Sequence, residues 1–450
     1  MRKIRRDLTT GKISSHIIKL AVPLILSNLF MTILELTDAL FIGRLGSAAL
    51  AGVSISGTIL FFLATFGAGL SVGTVALIAR NTGAKNYDKA NEVAMQSFIL
   101  GITIALILGS LGYLFSENIL TALGAKGEVL NYGTGYIKIL FKYIFTMFFM
   151  FLGSAVLRGS GDTKTPMYIT LISVVINIIL DWLLIFGKLG FPALGVKGAA
   201  TATVISRGIS STILMILLIK GKHNIHIRLK SIKVSFNIIS KIFKIGFPAS
   251  IQMFIRSTSA IILIKIVSYF GTETIAAYGI GARIFSLFIL PGFGFSDASA
   301  TMVGQNFGAN KISRIKKSAY ISAGYYFIVL LFLSVSVFAF SKNIIMLFNT
   351  EPEVIKIGSV YLKYISVSAL SLCIGLVLSR SFQGLGKSMI PMIITGITLY
   401  AVQIPLAYIL SIKLKFNQTG IWTAQIVASY TQALLIFYKW HTYKFNTQQQ

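Results

Sequence analysis

Long apolar segments recur along this chain from one end to the other, and they constrain its fold more than any other feature. Runs such as 97–114, 169–186 and 326–340 approach the roughly 20 residues that a helix needs to cross a hydrocarbon layer about 30 Å thick. With 55% hydrophobic and only 12% charged residues, the chain is too apolar for a surface that faces water. Backbone N–H and C=O groups find no hydrogen-bond partner in lipid, so a membrane-spanning segment must be a helix or part of a closed barrel. The alternating hydrophobicity of barrel strands is absent, so the spans are predicted to be helices.

The sequence therefore predicts an all-α integral membrane protein with twelve transmembrane helices. The segment 49–79 is longer than one bilayer crossing, so we expect tilt or a projecting turn there. The predicted spans lie near 17–41, 49–79, 93–114, 136–157, 166–186, 195–219, 240–269, 276–303, 318–340, 360–379, 389–412 and 419–440.

The second half of the chain repeats the first with a shift of 225 residues, the difference between Pro23 and Pro248. The same shift continues without gaps over a long stretch, which chance does not explain. Six spans per half is an even number, so both halves start on the same side and form a parallel repeat. The shift also superposes Gly46 on Gly271, Asn81 on Asn306, Tyr136 on Tyr361, Gly159 on Gly384 and Pro166 on Pro391.

This repeat predicts two six-helix lobes, an N-lobe at 1–220 and a C-lobe at 241–450, joined by a basic cytoplasmic linker at 221–240. Two such lobes can alternate the access of a central cavity by rocking, which is how many carriers work. A channel is the alternative that duplication alone does not exclude, but no filter loop is visible.

The net charge of +28 is distributed unevenly between the two sides of the predicted spans. About 25 of the Lys and Arg residues fall on one side and about 8 on the other, which predicts that both termini are cytoplasmic. The basic loops would then face anionic lipid headgroups rather than nucleic acid, for which no recognition motif is present. We expect a retained first helix and a prokaryotic cytoplasmic membrane, with a monomer as the working state.

Catalytic and redox constellations are not apparent in the sequence. Cys373 is the single cysteine and lies inside an apolar span, where a packing role is the simplest interpretation. The four His residues are scattered, and no nucleotide loop or nucleophile motif occurs. We therefore expect neither an enzyme nor a protein that holds a cofactor.

Four carboxylates are predicted at membrane depth, where each costs about 2.5 to 3.5 kcal/mol and so calls for a partner or a function. Asp38 and Asp181 precede Gly43 and Gly187 by five and six residues near the outer ends of spans one and five, so they lie at similar depth. The other two are Glu35 and Asp297.

A polar site is predicted around Asp38 and Asp181. Asn177 lies one turn before Asp181 on the same helix face, and Thr203 enters the membrane by a similar distance in span six. This all-oxygen set suits a hard cation such as Na⁺, and two carboxylates in low dielectric can equally share a proton. Glu35, three residues before Asp38, could join the site or tune it.

Salt bridges are the alternative for these acids. Asp297 follows the Pro291-Gly292 break of span eight. Arg256 and Arg283 are available in the same lobe, so we expect Asp297 to form a structural ion pair. For Asp38 and Asp181 a structural pair is the less favoured alternative. The repeat leaves leucines at the equivalent positions in the C-lobe, so we expect ion coupling to reside in the N-lobe. The basic residues within or at the ends of spans include Lys138, Lys142, Arg207, Arg256 and Lys265.

Pro23 interrupts the hydrogen bonding of span one four turns before Asp38 and permits a bend. Such a bend could link the acidic site to the cavity, or it could simply shape the packing of the helix.

These features resemble the multidrug and toxic compound extrusion (MATE) family across nearly the whole chain. The motifs that carry the resemblance are Lys19-Leu-Ala-Val-Pro23, Thr37-Asp38-Ala-Leu-Phe-Ile-Gly43-x-Leu-Gly46, the two Asn-x-Gly-Ala turns, Arg158-Gly159-x-Gly161-Asp162-x-x-x-Pro166, Asn177-x-x-x-Asp181 and Gly198-Ala-Ala-x-Ala-Thr203.

The resemblance implies an antiporter that exports organic, often cationic, small molecules in exchange for Na⁺ or H⁺. It places the coupling cation on Asp38, Asn177, Asp181 and Thr203, and makes Pro23 the bending proline. Some members carry acids in spans seven and ten, and this chain carries Arg256 and Lys265 in span seven instead. The alternative is a flippase or exporter of lipid-linked sugars or other amphiphiles, which a cavity dominated by cationic residues would favour.

Overall fold

The computed structural model describes residues 7–221, 225–227 and 233–445, and within these residues the regular secondary structure is helical. The basic N-terminus at 1–6 and much of the basic linker predicted at 221–240 lie outside the described residues. Seven helices cover the first half: α1 Ile13–Gly43, α2 Ser47–Gly83, α3 Tyr87–Ala122, α4 Gly127–Lys142, α5 Ile144–Gly159, α6 Lys164–Phe186 and α7 Val196–Ile219.

The second half repeats this order with more interruptions. It consists of α8 Phe236–Val267, a 3₁₀ turn Ser268–Phe270, α9 Thr272–Gly308, α10 Ile312–Ala339, α11 Ser341–Met346, α12 Pro352–Ala369, α13 Leu372–Gly384, α14 Met389–Gly396, α15 Ile404–Tyr408 and α16 Asn417–Thr442. Two π-helical segments, Ile397–Gln403 and Ile409–Lys413, flank α15. Among the residues that the structure describes, ten helical segments are long and apolar enough to cross a membrane, and two bent pairs bring the number to twelve if each pair is one span.

The spans predicted at 136–157 and 360–379 are each formed by a bent pair of helices. The chain bends by 53° between α4 and α5 and by 45° between α12 and α13. Thr146 Oγ1 donates to the carbonyl of Tyr143 at 2.9 Å, and Ser371 Oγ donates to that of Ser368 at 2.8 Å. A hydroxyl that competes for a backbone carbonyl weakens the helix locally, and the shift of 225 residues superposes the two bends.

The residues group into two compact units. The first unit includes Leu26–Phe247, and the second includes Leu8–Ile25 and the chain from Pro248 onward. Helix α1 thus contributes its first part to the second unit, and α8 contributes its first part to the first unit. Pro23 and Pro248 lie inside these two helices, close to the points of division. The lobe boundaries at 220 and 241 stay a prediction.

Glycines allow these exchanged helix ends to pack closely within each unit. A Cβ at Gly246 would lie 2.7 Å from the carbonyl oxygen of Gly69, and a Cβ at Gly294 would lie 2.9 Å from that of Ala21. The two contacts are equivalent under the shift of 225 residues. Small residues let helix backbones approach where lipid provides no hydrophobic drive for association.

Candidate functional site

The first unit brings the four predicted coupling residues together. Asp38 lies near the end of α1, Asn177 and Asp181 lie one turn apart on α6, and Thr203 lies in the second turn of α7. Asn177 and Asp181 are fully buried and Thr203 is 7% exposed, while Asp38 is partly buried. These side chains define the acidic cluster of the first unit.

Asn177 connects the carboxylates of the acidic cluster to α7. With its amide nitrogen turned toward the acids, Nδ2 donates to Asp181 Oδ2 at 3.1 Å and to Asp38 Oδ1 at 3.3 Å. The amide oxygen then accepts from Ser206 Oγ at 3.2 Å and from the backbone nitrogen of Thr203 at 3.1 Å. This orientation satisfies every polar atom of the amide.

A half-turn of the same amide would place its oxygen, instead of its nitrogen, beside the two carboxylates. Three oxygen-bearing groups would then converge without a donor between them, which only a cation or a proton can stabilise.

Asp181 carries the clearest chemical signal in the cluster. Its Oδ1 is buried and has no hydrogen-bond partner among the described residues, and its carboxyl group interacts with that of Asp38. An unpartnered carboxylate oxygen in a low-dielectric interior is costly. A shared proton or a bound cation would supply what the oxygen lacks.

Ser206 belongs to the cluster but was not predicted from the sequence. It is 1% exposed, and its Oγ donates to the Asn177 amide oxygen at 3.2 Å. Its position three residues after Thr203, on the same face of α7, was the available signal.

Other polar groups surround the acidic cluster. Glu35 interacts electrostatically with Asp38 and Arg207, although Glu35 itself is exposed. Arg207 also interacts with Asp38 and with Tyr136, whose side chain is 8% exposed. Arg207 therefore offsets part of the negative charge of the cluster.

The second unit has apolar residues where the first has its acids. Leu263, at the position equivalent to Asp38, is 3% exposed in the core of that unit. Leu406, equivalent to Asp181, packs against the same core. In the described part of the chain, the duplicated scaffold thus carries this acidic cluster in the first unit and not at the equivalent positions of the second.

Asp297 forms a pair that the sequence did not specify. Its Oδ1 lies 3.4 Å from Arg380 Nε, so the expected structural ion pair is present but involves an arginine other than the two named as candidates. Arg380 lies on α13, more than eighty residues from Asp297, and no local pattern indicates such a contact.

The repeated helical fold and the buried acidic cluster define a polytopic membrane protein of the two-lobed carrier class. The MatE family model matches residues 23–183 and 248–409, which together cover most of the chain. The chain therefore belongs to the MATE family.

Named relatives agree with this assignment. The chain is 31% identical to the probable multidrug resistance protein YoeA of Bacillus subtilis over 95% of this chain and 93% of that protein. It is 30% identical to the probable multidrug resistance protein NorM of Thermotoga maritima over 95% and 92%. Crystal structures of a MATE protein in a straight and in a bent conformation, each 25% identical, match with a TM-score of 0.90. The straight structure is covered over 97% of both chains, and the bent one over 96% of this chain and 95% of that chain.

Proposed function

We propose that this protein is a secondary active antiporter that exports organic, often cationic, compounds from the cell in exchange for Na⁺ or H⁺. Two relatives over nearly the full length are named as multidrug resistance proteins. The observation that carries the proposal is the buried Asp181 Oδ1, which lacks a hydrogen-bond partner among the described residues, on a carboxyl group that interacts with the carboxyl group of Asp38. Such a group needs a proton or a metal cation.

In the cation-bound state, the carboxylates of Asp38 and Asp181, the amide oxygen of Asn177 and the hydroxyl of Thr203 act as the ligands. All four are hard oxygen donors, which suit Na⁺. A proton shared between the two carboxylates serves the same electrostatic purpose if the coupling ion is H⁺.

In the ion-free state, the Asn177 amide rotates so that its nitrogen donates to both carboxylates. The distances of 3.1 and 3.3 Å from Nδ2 to the carboxylates of Asp181 and Asp38 support this ion-free arrangement. The amide then replaces the lost cation with two hydrogen bonds, so the ion can leave without stranding both carboxylates.

Coupling to the exported compound runs through α1 in this proposal. Asp38 and Pro23 lie on the same helix, and a proline leaves one carbonyl of the preceding turn without its helical hydrogen bond. In this proposal, exchange of the ion bound to the Asp38 carboxylate for the Asn177 amide alters how α1 bends at Pro23.

The remaining parts of the proposal concern the setting of the protein. We place it as a monomer in a prokaryotic cytoplasmic membrane, with both termini in the cytoplasm and its basic loops against anionic lipid. The N-lobe at 1–220 and the C-lobe at 241–450, joined by the linker at 221–240, give alternating access by rocking in this proposal.

Uptake of a fluorescent organic cation into inverted vesicles tests the proposal directly. An imposed Na⁺ or H⁺ gradient should drive accumulation, and Asp38→Asn or Asp181→Asn should abolish it while the protein remains inserted. Asp88→Asn, which changes an exposed acid at the start of α3, is the matched control and should transport normally. If well-folded wild type shows no gradient-dependent uptake of the dye, the antiporter proposal is overturned and the amphiphile flippase is favoured.

A further inference from the structure

The second unit contains a buried polar network that the proposed coupling site does not use. Gln383 Nε2 donates to Gln252 Oε1 at 2.9 Å, and Gln252 Nε2 donates to Thr395 Oγ1 at 2.8 Å. Gln432 Nε2 donates to the same hydroxyl at 2.8 Å. The four side chains are at most 8% exposed and join α8, α13, α14 and α16.

Arg380 terminates this network at one end. Its Nη1 donates to Gln383 Oε1 at 2.9 Å, and its Nε lies 3.4 Å from Asp297 Oδ1. The guanidinium side chain is 18% exposed. One carboxylate and one amide therefore fix its orientation.

Arg256 lies beside Arg380 but has no comparable partner. It follows Gln252 by one turn on α8, just as Arg380 precedes Gln383 by one turn on α13. Helices α8 and α13 belong to spans seven and ten, which run in opposite directions. Arg256 and Arg380 therefore lie on the same side of the Gln252–Gln383 hydrogen bond along the membrane normal. Arg256 is partly buried and experiences the positive charge of Arg380, yet within the described residues it makes neither a hydrogen bond nor an ion pair.

The charge of this cluster is positive, because it contains two guanidinium groups, those of Arg256 and Arg380, and a single carboxylate, that of Asp297. The repeat shows that the cluster is specific to the second unit: the positions equivalent to Arg256, Arg380 and Asp297 are Met31, Ala155 and Val72. An unpartnered cation at membrane depth is costly and marks a functional site by default. A guanidinium fork matches the two oxygens of a carboxylate or phosphate.

We propose that Arg256 and Arg380 form an oxyanion site in the second unit, which binds the carboxylate of an exported organic acid or zwitterion. The proposal rests on the export function and narrows its substrate class. A compound that carries both a cationic nitrogen and a carboxylate should therefore bind more tightly than the same cation without the carboxylate. The phosphate of an anionic lipid has the same oxyanion chemistry and is the competing occupant.

The test uses a rhodamine dye with a free carboxylate and the methyl ester of the same dye. Binding to the full chain in phosphatidylcholine nanodiscs is measured by fluorescence anisotropy. Arg256→Gln should weaken binding of the carboxylate dye by at least about tenfold and leave binding of the ester unchanged. Arg256→Lys should restore part of the loss, and Arg283→Gln, at an exposed position on α9, should bind both dyes as wild type does.

Equal effects of Arg256→Gln on the two dyes, or no effect on either, would overturn the site. Because Arg256 lacks a protein partner, Arg256→Gln should unfold at the wild-type temperature, which separates a binding defect from misfolding. Repeating the measurement in nanodiscs that contain phosphatidylglycerol distinguishes the two occupants. If this lipid displaces the carboxylate dye from wild type but not from Arg256→Gln, the site binds lipid headgroups, and the proposal that it binds a substrate carboxylate is overturned.

Failure of the export function has a different signature. Gradient-driven transport of the methyl ester depends on coupling but not on the oxyanion site. If wild type fails to transport the ester but still binds the carboxylate dye through Arg256, the antiporter proposal is contradicted and the oxyanion site is retained.

Discussion

Asn177 and Asp181 lie one turn apart on α6, and the amide nitrogen of the first reaches the carboxylate of the second at 3.1 Å when it faces the acids. The same nitrogen also reaches Asp38 at 3.3 Å. A single amide therefore lies between both acids of the proposed coupling site and the hydroxyls of α7. Its orientation decides whether the site presents a hydrogen-bond donor or a third oxygen.

Asn177→Leu should uncouple the ion from the protein. The substitution keeps a similar volume but removes both the oxygen ligand and the donor, leaving two buried carboxylates without the amide. We expect a loss of about 1–3 kcal/mol of stability and the disappearance of the ion-dependent increase in Tm that wild type gains by binding. Thermal unfolding in detergent across a series of Na⁺ concentrations at fixed ionic strength measures both effects.

Ser206→Ala provides the comparison for Asn177→Leu, because it removes only a contact to the amide. Its Na⁺-dependent increase in Tm should be reduced but still present. An Asn177→Leu protein that responds to Na⁺ as wild type does would contradict the proposed ligand role of the amide.

Protons and Na⁺ should compete for the acidic cluster. Na⁺ binds ionised carboxylates, and metal binding at such ligands displaces protons. The apparent affinity for Na⁺ should therefore fall as the pH is lowered and rise as the pH is raised. Na⁺-dependent thermal stabilisation measured at several pH values, in wild type and in Asp38→Asn, checks the direction. Stabilisation by Na⁺ that is independent of pH would show that the ion binds elsewhere.

Pro23→Ala should slow transport and leave ion binding nearly intact. Alanine restores the missing backbone hydrogen bond of α1 and disfavours a bend, while Pro23 is not a member of the acidic cluster. Gradient-driven dye uptake, compared with Na⁺-dependent thermal stabilisation of the same protein, separates the two effects. Unchanged uptake would reduce Pro23 to a residue that shapes packing.

Gly384→Ala should destabilise the second unit. A Cβ at this position of α13 would collide with the backbone of Ala300 on α9, and overpacking of this kind costs about 1–3 kcal/mol. Gly375 lies in the same helix, and a Cβ there meets nothing within 4 Å. Gly375→Ala should therefore be neutral or gain up to about 1 kcal/mol from helix propensity. Thermal unfolding of the two variants, side by side, makes the comparison; equal Tm values would contradict the packing argument.

The membrane class and the repeat could be read from the sequence because they depend on local patterns, and the depth of the acids stays a prediction from the same patterns. The length of an apolar segment fixes how far a helix reaches through lipid, and the distance of Asp38 or Asp181 from a span end fixes its depth. The spacing of Asn177 and Asp181 likewise fixes a shared face. The family match and the helical architecture confirm the predicted fold class, whereas the roles of the site residues stay predictions.

Only the tertiary structure decided which faces meet. Helical periodicity does not set how a helix is rotated or which neighbour it packs against, so Ser206 and the Arg380 partner of Asp297 were not apparent from the sequence. The bends at Tyr143 and near Ser368 were missed for a related reason, because a hydroxyl that bonds a nearby carbonyl weakens a helix only in the right packing context. The contribution of α1 and α8 to two units each was equally hidden, since the exchange depends on backbone contacts at Gly246 and Gly294 between segments distant in the chain.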